Sequence, residues 1–340
     1  MSETDLTPLN AVFGGRLQRD FILPFEGKPQ LNVLGGNLPY AAAGYALWGG
    51  KAGLVARVNR DFPQTWLEQL ATAGSDTSGI KRVNEPLDDR RFIVYLDPLT
   101  PRTDSPLTYF VERGIPFPRD LIGYETAEPR FCSKVEYEPY SLHVNDVPRL
   151  YMDAPAAHVC PIDFMSHKIM PSVLKTGLVD TLSMRSTACY MDPTYWEDIR
   201  GLIADLTIFM TTEAEAKRLF QGRSVDVWEI AAGLADYGPQ IIVVNMPDGS
   251  TWVYSRLQAK RWIVPAYPTR VVDPTGMLDA FDGAFLFAYH QDFDPVEAAL
   301  CGSITAALCL EGSGPFYILD TLPGLKEARL EALRPRVRVI

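Results

Sequence analysis

Long apolar runs are missing from this 340-residue sequence, and so are blocks of like charge, closely spaced cysteine pairs and histidine clusters. No stretch approaches the ~20 apolar residues that a membrane-crossing helix needs. Acidic residues (42) outnumber basic ones (32), the formal net charge is −10, and nowhere do five or six like charges stand together. Without clustered Lys and Arg the general attraction to nucleic acid is absent, so no nucleic-acid partner is expected. Five cysteines (Cys132, Cys160, Cys189, Cys301 and Cys309) show no CxxC spacing, and an odd count does not suggest a disulfide framework. Cys301 and Cys309 fall in an apolar helical pattern and read as buried thiols. The four histidines (His143, His158, His167 and His290) have no metal-ligand spacing. The opening "MSETDLTPLNAVFGG" is too acidic, and too short in apolar run, for a signal peptide. A cytoplasmic protein with no membrane partner is expected.

What is present is a folded core: 47% hydrophobic residues, with apolar β-type runs alternating with helical patterns. That alternation is the mark of a sheet covered on both faces. "NAVFGG" reads as a short buried strand, and "DFILPFEGKPQLNVLGG" as an extended excursion returning to a Gly-Gly turn. "NLPYAAAGYALWGG" reads as a helix with Asn37 at its N-cap and Pro39 in its first turn. Its run of small residues lets one face lie very close to a neighbour. "KAGLVARVN", "RRFIVYLDP", "TLSMRSTACYMDP" and "TIFMT" are strand candidates, and "QIIVVNMPDGSTWVYS" is two strands around a Pro-Asp-Gly turn. Residues 98–148 hold many prolines and read as loops and edge strands. In "DPVEAALCGSITAALCLEG", Asp294 is the expected N-cap and Glu297 the partner in a capping box.

The stretch "VVDPTGMLDAFDGAF", Val271 to Phe285, reads as a strand end, a tight turn and a helix start. The first amides of a helix lack intrachain partners and gather an anion. A carboxylate there, Asp279, can take a proton from a hydroxyl while the amides hold a transferring phosphoryl group. The helix dipole alone also favours an Asp in the first turn. Glu213 and Glu215 follow Thr211 and Thr212 at a helix start, where capping is a sufficient account. Asp88, Asp89, Arg90 and Arg91 read as a solvated charged edge. Trp48, Trp66 and Trp228 read as packing residues.

Taken in order, these features resemble the ribokinase-like, or PfkB, carbohydrate kinase family from near residue 11 to about residue 330. The signature D-T-x-G-A-G-D followed by A-F-x-G-A-F stands here as Asp273-Pro274-Thr275-Gly276-Met277-Leu278-Asp279 and Ala280-Phe281-Asp282-Gly283-Ala284-Phe285. "FGGRLQRD", the Gly35-Gly36-Asn37 turn before a small-residue helix, and "VARVNRDF" followed by "LEQLATAGSDTSGI" match upstream. The resemblance implies a three-layer α/β/α fold with a small β-strand lid, the whole chain forming one unit and the lid built from about 16–34 and 86–115. It implies transfer of a phosphoryl group from ATP with Mg²⁺ to a hydroxyl of a sugar, nucleoside or related small molecule. Asp279 becomes the catalytic base, and Gly276, Met277 and Leu278 the anion hole. Asp20, Gly35, Gly36 and Asn37 bind substrate, while Thr275, Gly249 and Glu213 bind the cofactor. Glu213 would reach Mg²⁺ through water, and Asp273 would stand beside a monovalent cation such as K⁺. A homodimer through the lid would use Phe21, Ile22, Phe92 and Val94.

The sequence departs from the pattern at several places. Met277 and Leu278 replace Ala and Gly, and leucine tolerates neither positive φ nor close approach of phosphate as glycine does. The family's N-x-x-E stands here as Met210-Thr211-Thr212-Glu213, with Glu213 kept and Met210 in place of the Asn. Met246 stands for a glycine of the nucleotide turn, and Asn59 for another customary glycine. These changes fall on the ATP side, so the alternative is a catalytically impaired protein of the same fold that binds a small ligand or partner.

Overall fold

The computed structural model describes residues 9–125 and 131–340. The opening residues 1–8, which weighed in the expected location, and residues 126–130 of the irregular stretch lie outside the described residues. Fourteen strands are present among the described residues. They are β1 (Ala11–Gly14), β2 (Gln18–Leu23), β3 (Gln30–Gly35), β4 (Ala52–Val58), β5 (Asp76–Arg82), β6 (Arg90–Tyr95), β7 (Pro101–Arg102) and β8 (Ala156–Val159), then β9 (Thr181–Arg185), β10 (Ile208–Thr212), β11 (Ile241–Asn245), β12 (Thr251–Ser255), β13 (Lys260–Val264) and β14 (Arg338–Val339). The helices are α1 (Leu38–Leu47), α2 (Gln64–Thr72), α3 (Pro106–Glu112), α4 (Phe164–Leu174), α5 (Trp196–Ile203), α6 (Glu213–Leu219), α7 (Val227–Ala235), α8 (Met277–Asp292), α9 (Pro295–Leu310) and α10 (Leu325–Leu333).

Ten strands form one sheet in the order β14-β13-β12-β11-β10-β9-β8-β1-β4-β5, parallel from β11 to β5 and antiparallel from β11 to β14. The central parallel strands β10 and β11 are buried on both faces, which is why "IIVVN" and "TIFM" carry apolar side chains without alternation. Helices α4 to α7 pack on one face, and α1, α2 and α8 to α10 on the other. The three layers agree with the architecture that the resemblance implies.

The small residues of α1 meet α8 at van der Waals limits. A Cβ at Gly44 would sit 2.1 Å from the Ala280 carbonyl oxygen, and one at Gly283 1.9 Å from that of Ala41. This contact fixes where α8 begins, and so where Asp279 stands. Asn37 occupies the N-cap position of α1, but its side chain does not cap. It accepts from the Arg16 amide at 2.7 Å and donates to the Pro161 carbonyl, tying β1 to the segment after β8. Glu297 likewise turns from its expected capping box to Arg334, while Asp294 caps alone.

A second sheet, β3-β2-β6-β7, stands apart from the large one. Its period of two separates the faces. Phe21, Leu23, Phe92 and Val94 lie under Phe110 and Leu121 of the chain's own 106–124 segment, whereas Ile22, Ile93 and Tyr95 cluster on the other face. Residues Phe21, Phe92 and Val94, offered above for a dimer, are therefore covered from within the chain. The 98–148 stretch also contains helix α3, which the prolines concealed. Against the expectation from cysteine count, Cys132 and Cys189 are bonded; Cys160, Cys301 and Cys309 are free and buried.

Candidate active site

The turn before α8 carries its tension at one residue. Gly276 has φ +76°, and a Cβ there would lie 2.1 Å from the Tyr40 ring. Met277 opens the helix proper, so it and Leu278 take ordinary helical backbone angles. The glycine of the family pattern is thus not needed for conformation at Leu278. The Met277 amide donates to the Pro274 carbonyl at 3.2 Å and the Ala280 amide to that of Gly276 at 2.9 Å. The amides of Gly276, Leu278 and Asp279 meet no acceptor among the described residues. Of the expected anion hole, then, the Met277 amide is already engaged.

Burial, reinforced by the Asp282 carboxylate, pushes the Asp279 carboxyl up to about 7, against the opposing pull of Arg185 and Arg91. The Asp273 carboxylate is buried, accepts from the Thr275 amide at 3.0 Å through Oδ1, and leaves Oδ2 without a partner. Burial raises its pKa as well. The Thr275 hydroxyl lies 3.0 Å from the Tyr95 hydroxyl, so a residue of the small sheet touches this turn directly.

Beneath the turn lies a buried charged network. Arg185, at the end of β9, holds Asp282 with Nε and one terminal nitrogen, and that nitrogen also donates to Asn245 at 2.8 Å. The other terminal nitrogen has no partner among the described residues. His158 stands 3.6 Å from Asp282, its pKa lowered to about 3 by burial and by Arg185, so it is neutral there. Glu215 reaches the rim of this network, accepting from Ser186 at 2.9 Å and from the Thr212 hydroxyl and amide. Glu213 instead pairs with Lys217 at 2.6 Å. Met210 is fully buried in β10 among core side chains. The same four-residue spacing recurs two residues further on, with Thr212 and Glu215.

A polar pocket of about 480 Å³ opens beside Asp279, lined among others by Arg16, Gln18, Asn37, Arg91 and Tyr140. It sits where β1 lies between β8 and β4, at the carboxyl ends of strands whose order reverses. Asp20 is completely buried and held in a fork by Arg91, at 2.9 and 2.5 Å. The two residues are register partners of β2 and β6. Burial alone would lower the Arg91 pKa, but Asp20 outweighs it and raises it. The Gly36 amide points at Asp20 from 3.4 Å, and Gly35 ends β3 alongside. The charged edge read as solvated is only partly so: Arg90 clamps Asp88 and three carbonyls of 120–123, and burial raises Asp89 to about 6.

On the other side of the α8 start is a narrower slot of about 80 Å³, lined by Met246, Gly249, Tyr267, Met277, Leu278 and Leu310 with their neighbours. Gly249 takes φ +78° in the turn whose amide bonds Met246. Asn59 turns its side chain onto the amide of Arg60, in its own loop.

Sequence reasoning missed Arg16, Arg91, Arg185, Asp282 and Glu215. For Arg91 a signal existed: in "RRFIVY" alternation puts residues 91, 93 and 95 on the face opposite Phe92 and Val94. For Arg185 and Asp282, 97 residues apart, no local pattern announces a pair.

Comparison with known proteins agrees with this geometry. Residues 180–322 match the pfkB family carbohydrate kinase model. A cytidine kinase of Thermococcus kodakarensis is 26% identical over 290 residues, 83% of this chain and 89% of that protein. A candidate ribokinase II from Escherichia coli, solved with ATP and Mg²⁺, superposes with a TM-score of 0.69 at 17% identity over 96% of this chain and 99% of that one. A fructokinase double mutant from Vibrio cholerae, solved with fructose, ADP and potassium, gives 0.67 at 17% over 96% and 98%. Residues 180–322 thus carry a pfkB kinase match and the whole chain has a ribokinase-like fold, which together support a kinase-type phosphotransferase.

Proposed function

We propose that the protein transfers the terminal phosphoryl group of ATP, with Mg²⁺, to a hydroxyl of a sugar, nucleoside or related small molecule. The observation that carries this reading is the start of α8. Amides without acceptors at Gly276, Leu278 and Asp279 adjoin a carboxyl poised near neutral pH, at the edge of a polar pocket. An acceptor hydroxyl in that pocket gives its proton to Asp279 as its oxygen bonds the γ-phosphorus. The bond from that phosphorus to the β,γ-bridging oxygen breaks and ADP leaves. The helix start steadies the charge that spreads over the phosphoryl oxygens. Asp20, with the Gly36 amide behind it, fixes Arg91, which lines the pocket together with Asn37. Glu215, with Glu213 further out, would hold the water shell of Mg²⁺, which neutralises phosphate charge when bound. The orphaned Asp273 Oδ2 fits a monovalent cation such as K⁺. The polar pocket and the apolar slot would then be the acceptor and nucleotide sides, with Gly249 and Thr275 along the slot.

The impaired alternative drew on Met210, Met246, Met277 and Leu278. Met210 is a core residue, and Met277 and Leu278 are ordinary helical residues whose side chains, with Met246, wall the slot. These placements favour the active reading. Its test is twofold. Saturating Mg²⁺-ATP at a hundred times its dissociation constant adds about 2.7 kcal/mol, a rise of a few degrees in the unfolding midpoint; no rise rejects a nucleotide site. Asp279→Asn is expected to lower kcat on the order of 10³-fold while the unfolding midpoint holds. Wild-type kcat/KM should climb with pH through about 7 as the carboxyl ionises; turnover intact in the variant removes Asp279 from the mechanism.

A further inference from the structure

Three arginines line the polar pocket, and one of them lacks an ion-pair partner. Arg91 is matched by Asp20, and Arg90 by Asp88 at 2.7 Å. Arg16 makes no ion pair among the described residues, and its Nε is buried without a hydrogen-bond partner. Its position is nonetheless built. Its amide donates to Asn37 Oδ1 at 2.7 Å, its carbonyl accepts from Leu38 at 3.2 Å, and its guanidinium lies 3.9 Å over the Tyr140 ring. Stacking on an aromatic face leaves the in-plane N–H fork free, the geometry that matches a carboxylate or phosphate in two parallel bonds. Burial lowers the Arg16 pKa, the mark of a charge kept from water without full compensation. A neutral sugar in this pocket would strip more water from that cation and return only neutral acceptors. An anion would give Arg16 the partner it lacks.

We propose that the acceptor carries an acid group, a carboxylate or a phosphate ester separate from the reacting hydroxyl, and that Arg16 is the residue that selects it. The inference rests on the phosphotransfer reading only in taking this pocket as the acceptor side. Arg16 is a specificity residue here; Asp279 carries the chemistry.

The test measures binding to the full-length protein by calorimetry without nucleotide, using matched probes: gluconate against glucose, and ribose 5-phosphate against ribose. At least one acid is expected to bind about tenfold or more tighter than its neutral partner, a difference of about 1.4 kcal/mol. Which pair shows the larger ratio separates carboxylate from phosphate. The ratio should fall by about that factor in Arg16→Gln and partly recover in Arg16→Lys, which keeps the charge but not the fork. Equal binding within both pairs, no acid binding below about 10 mM, or a preference that survives in Arg16→Gln overturns the proposal. The wild-type comparison holds even if a variant misfolds. ADP formation is followed separately: acid preference without turnover defeats the kinase reading and leaves this one standing, and turnover without acid preference does the reverse.

Discussion

The two cavities flanking the start of α8 are built on different principles. The one beside Asp279 is wide and polar, and its character comes from charged side chains brought from β2, β6 and the segment after β1. The one beyond Met277 and Leu278 is narrow and mostly apolar; next to it, what can hold an anion is backbone. A side-chain site changes its chemistry with each substitution. A backbone site keeps its donors whatever residue stands there, provided the φ and ψ angles survive. That is why Met277 and Leu278, which look damaging in the sequence, leave the helix start intact, whereas Arg16 and Arg91 alter the character of the other pocket.

The contrast can be broken in three further ways. The largest effect is expected at the charged floor. Asp282→Asn leaves Arg185 buried without its anion and should cost about 3–5 kcal/mol of stability in denaturant unfolding. It also removes a charge that raises Asp279, so the rising limb of the pH–activity profile should move to lower pH. A limb that stays in place would show that the two carboxylates do not communicate.

A smaller effect is expected at the wall of the polar pocket. The Cys132–Cys189 bond closes a loop of sequence separation 57 around the segment that carries Tyr140. Its reduction by dithiothreitol, or Cys132→Ser, should lower stability by about 2–4 kcal/mol. Because Tyr140 supports Arg16, acceptor KM should suffer more than nucleotide KM; equal changes in both would mean that the wall does not shape the pocket.

The smallest effect belongs to the apolar slot. Restoring Ala and Gly through Met277→Ala with Leu278→Gly should change the KM for ATP by less than about tenfold, or 1.4 kcal/mol. It should also cost about 1 kcal/mol of stability for glycine in a helix. A much larger gain in turnover would show that these side chains do obstruct the nucleotide.

Much of the framework was legible in the chain. Strands β1, β4, β10 and β11 announced themselves as apolar runs, α1 by its small residues, and α8 by the turn that precedes it. Asp279 stands out in the chain because its place depends on local geometry, a turn and the first amides of a helix. Helix α3 and strands β5, β8 and β13 escaped notice: α3 lies under the prolines of 98–148, β5 is largely polar and half-exposed, and β8 and β13 are short and borrow their order from neighbours. The sequence favoured Glu213 over Glu215 without means to separate them, since Thr212, Glu213 and Glu215 all suit a helix start and only packing tells which carboxylate faces Ser186.

The sequence by itself determined the alternation of layers, the anion-attracting turn and the identity of its carboxylate, because each follows from residues within one or two helical turns of one another. Tertiary structure alone decided the charge balance. Whether Asp20 is free or held by Arg91, whether Arg185 meets Asp282, and whether Arg16 finds an anion depend on contacts between residues 71, 97 or more positions apart. Electrostatic energy depends on distance and burial in space, and neither is written along the chain.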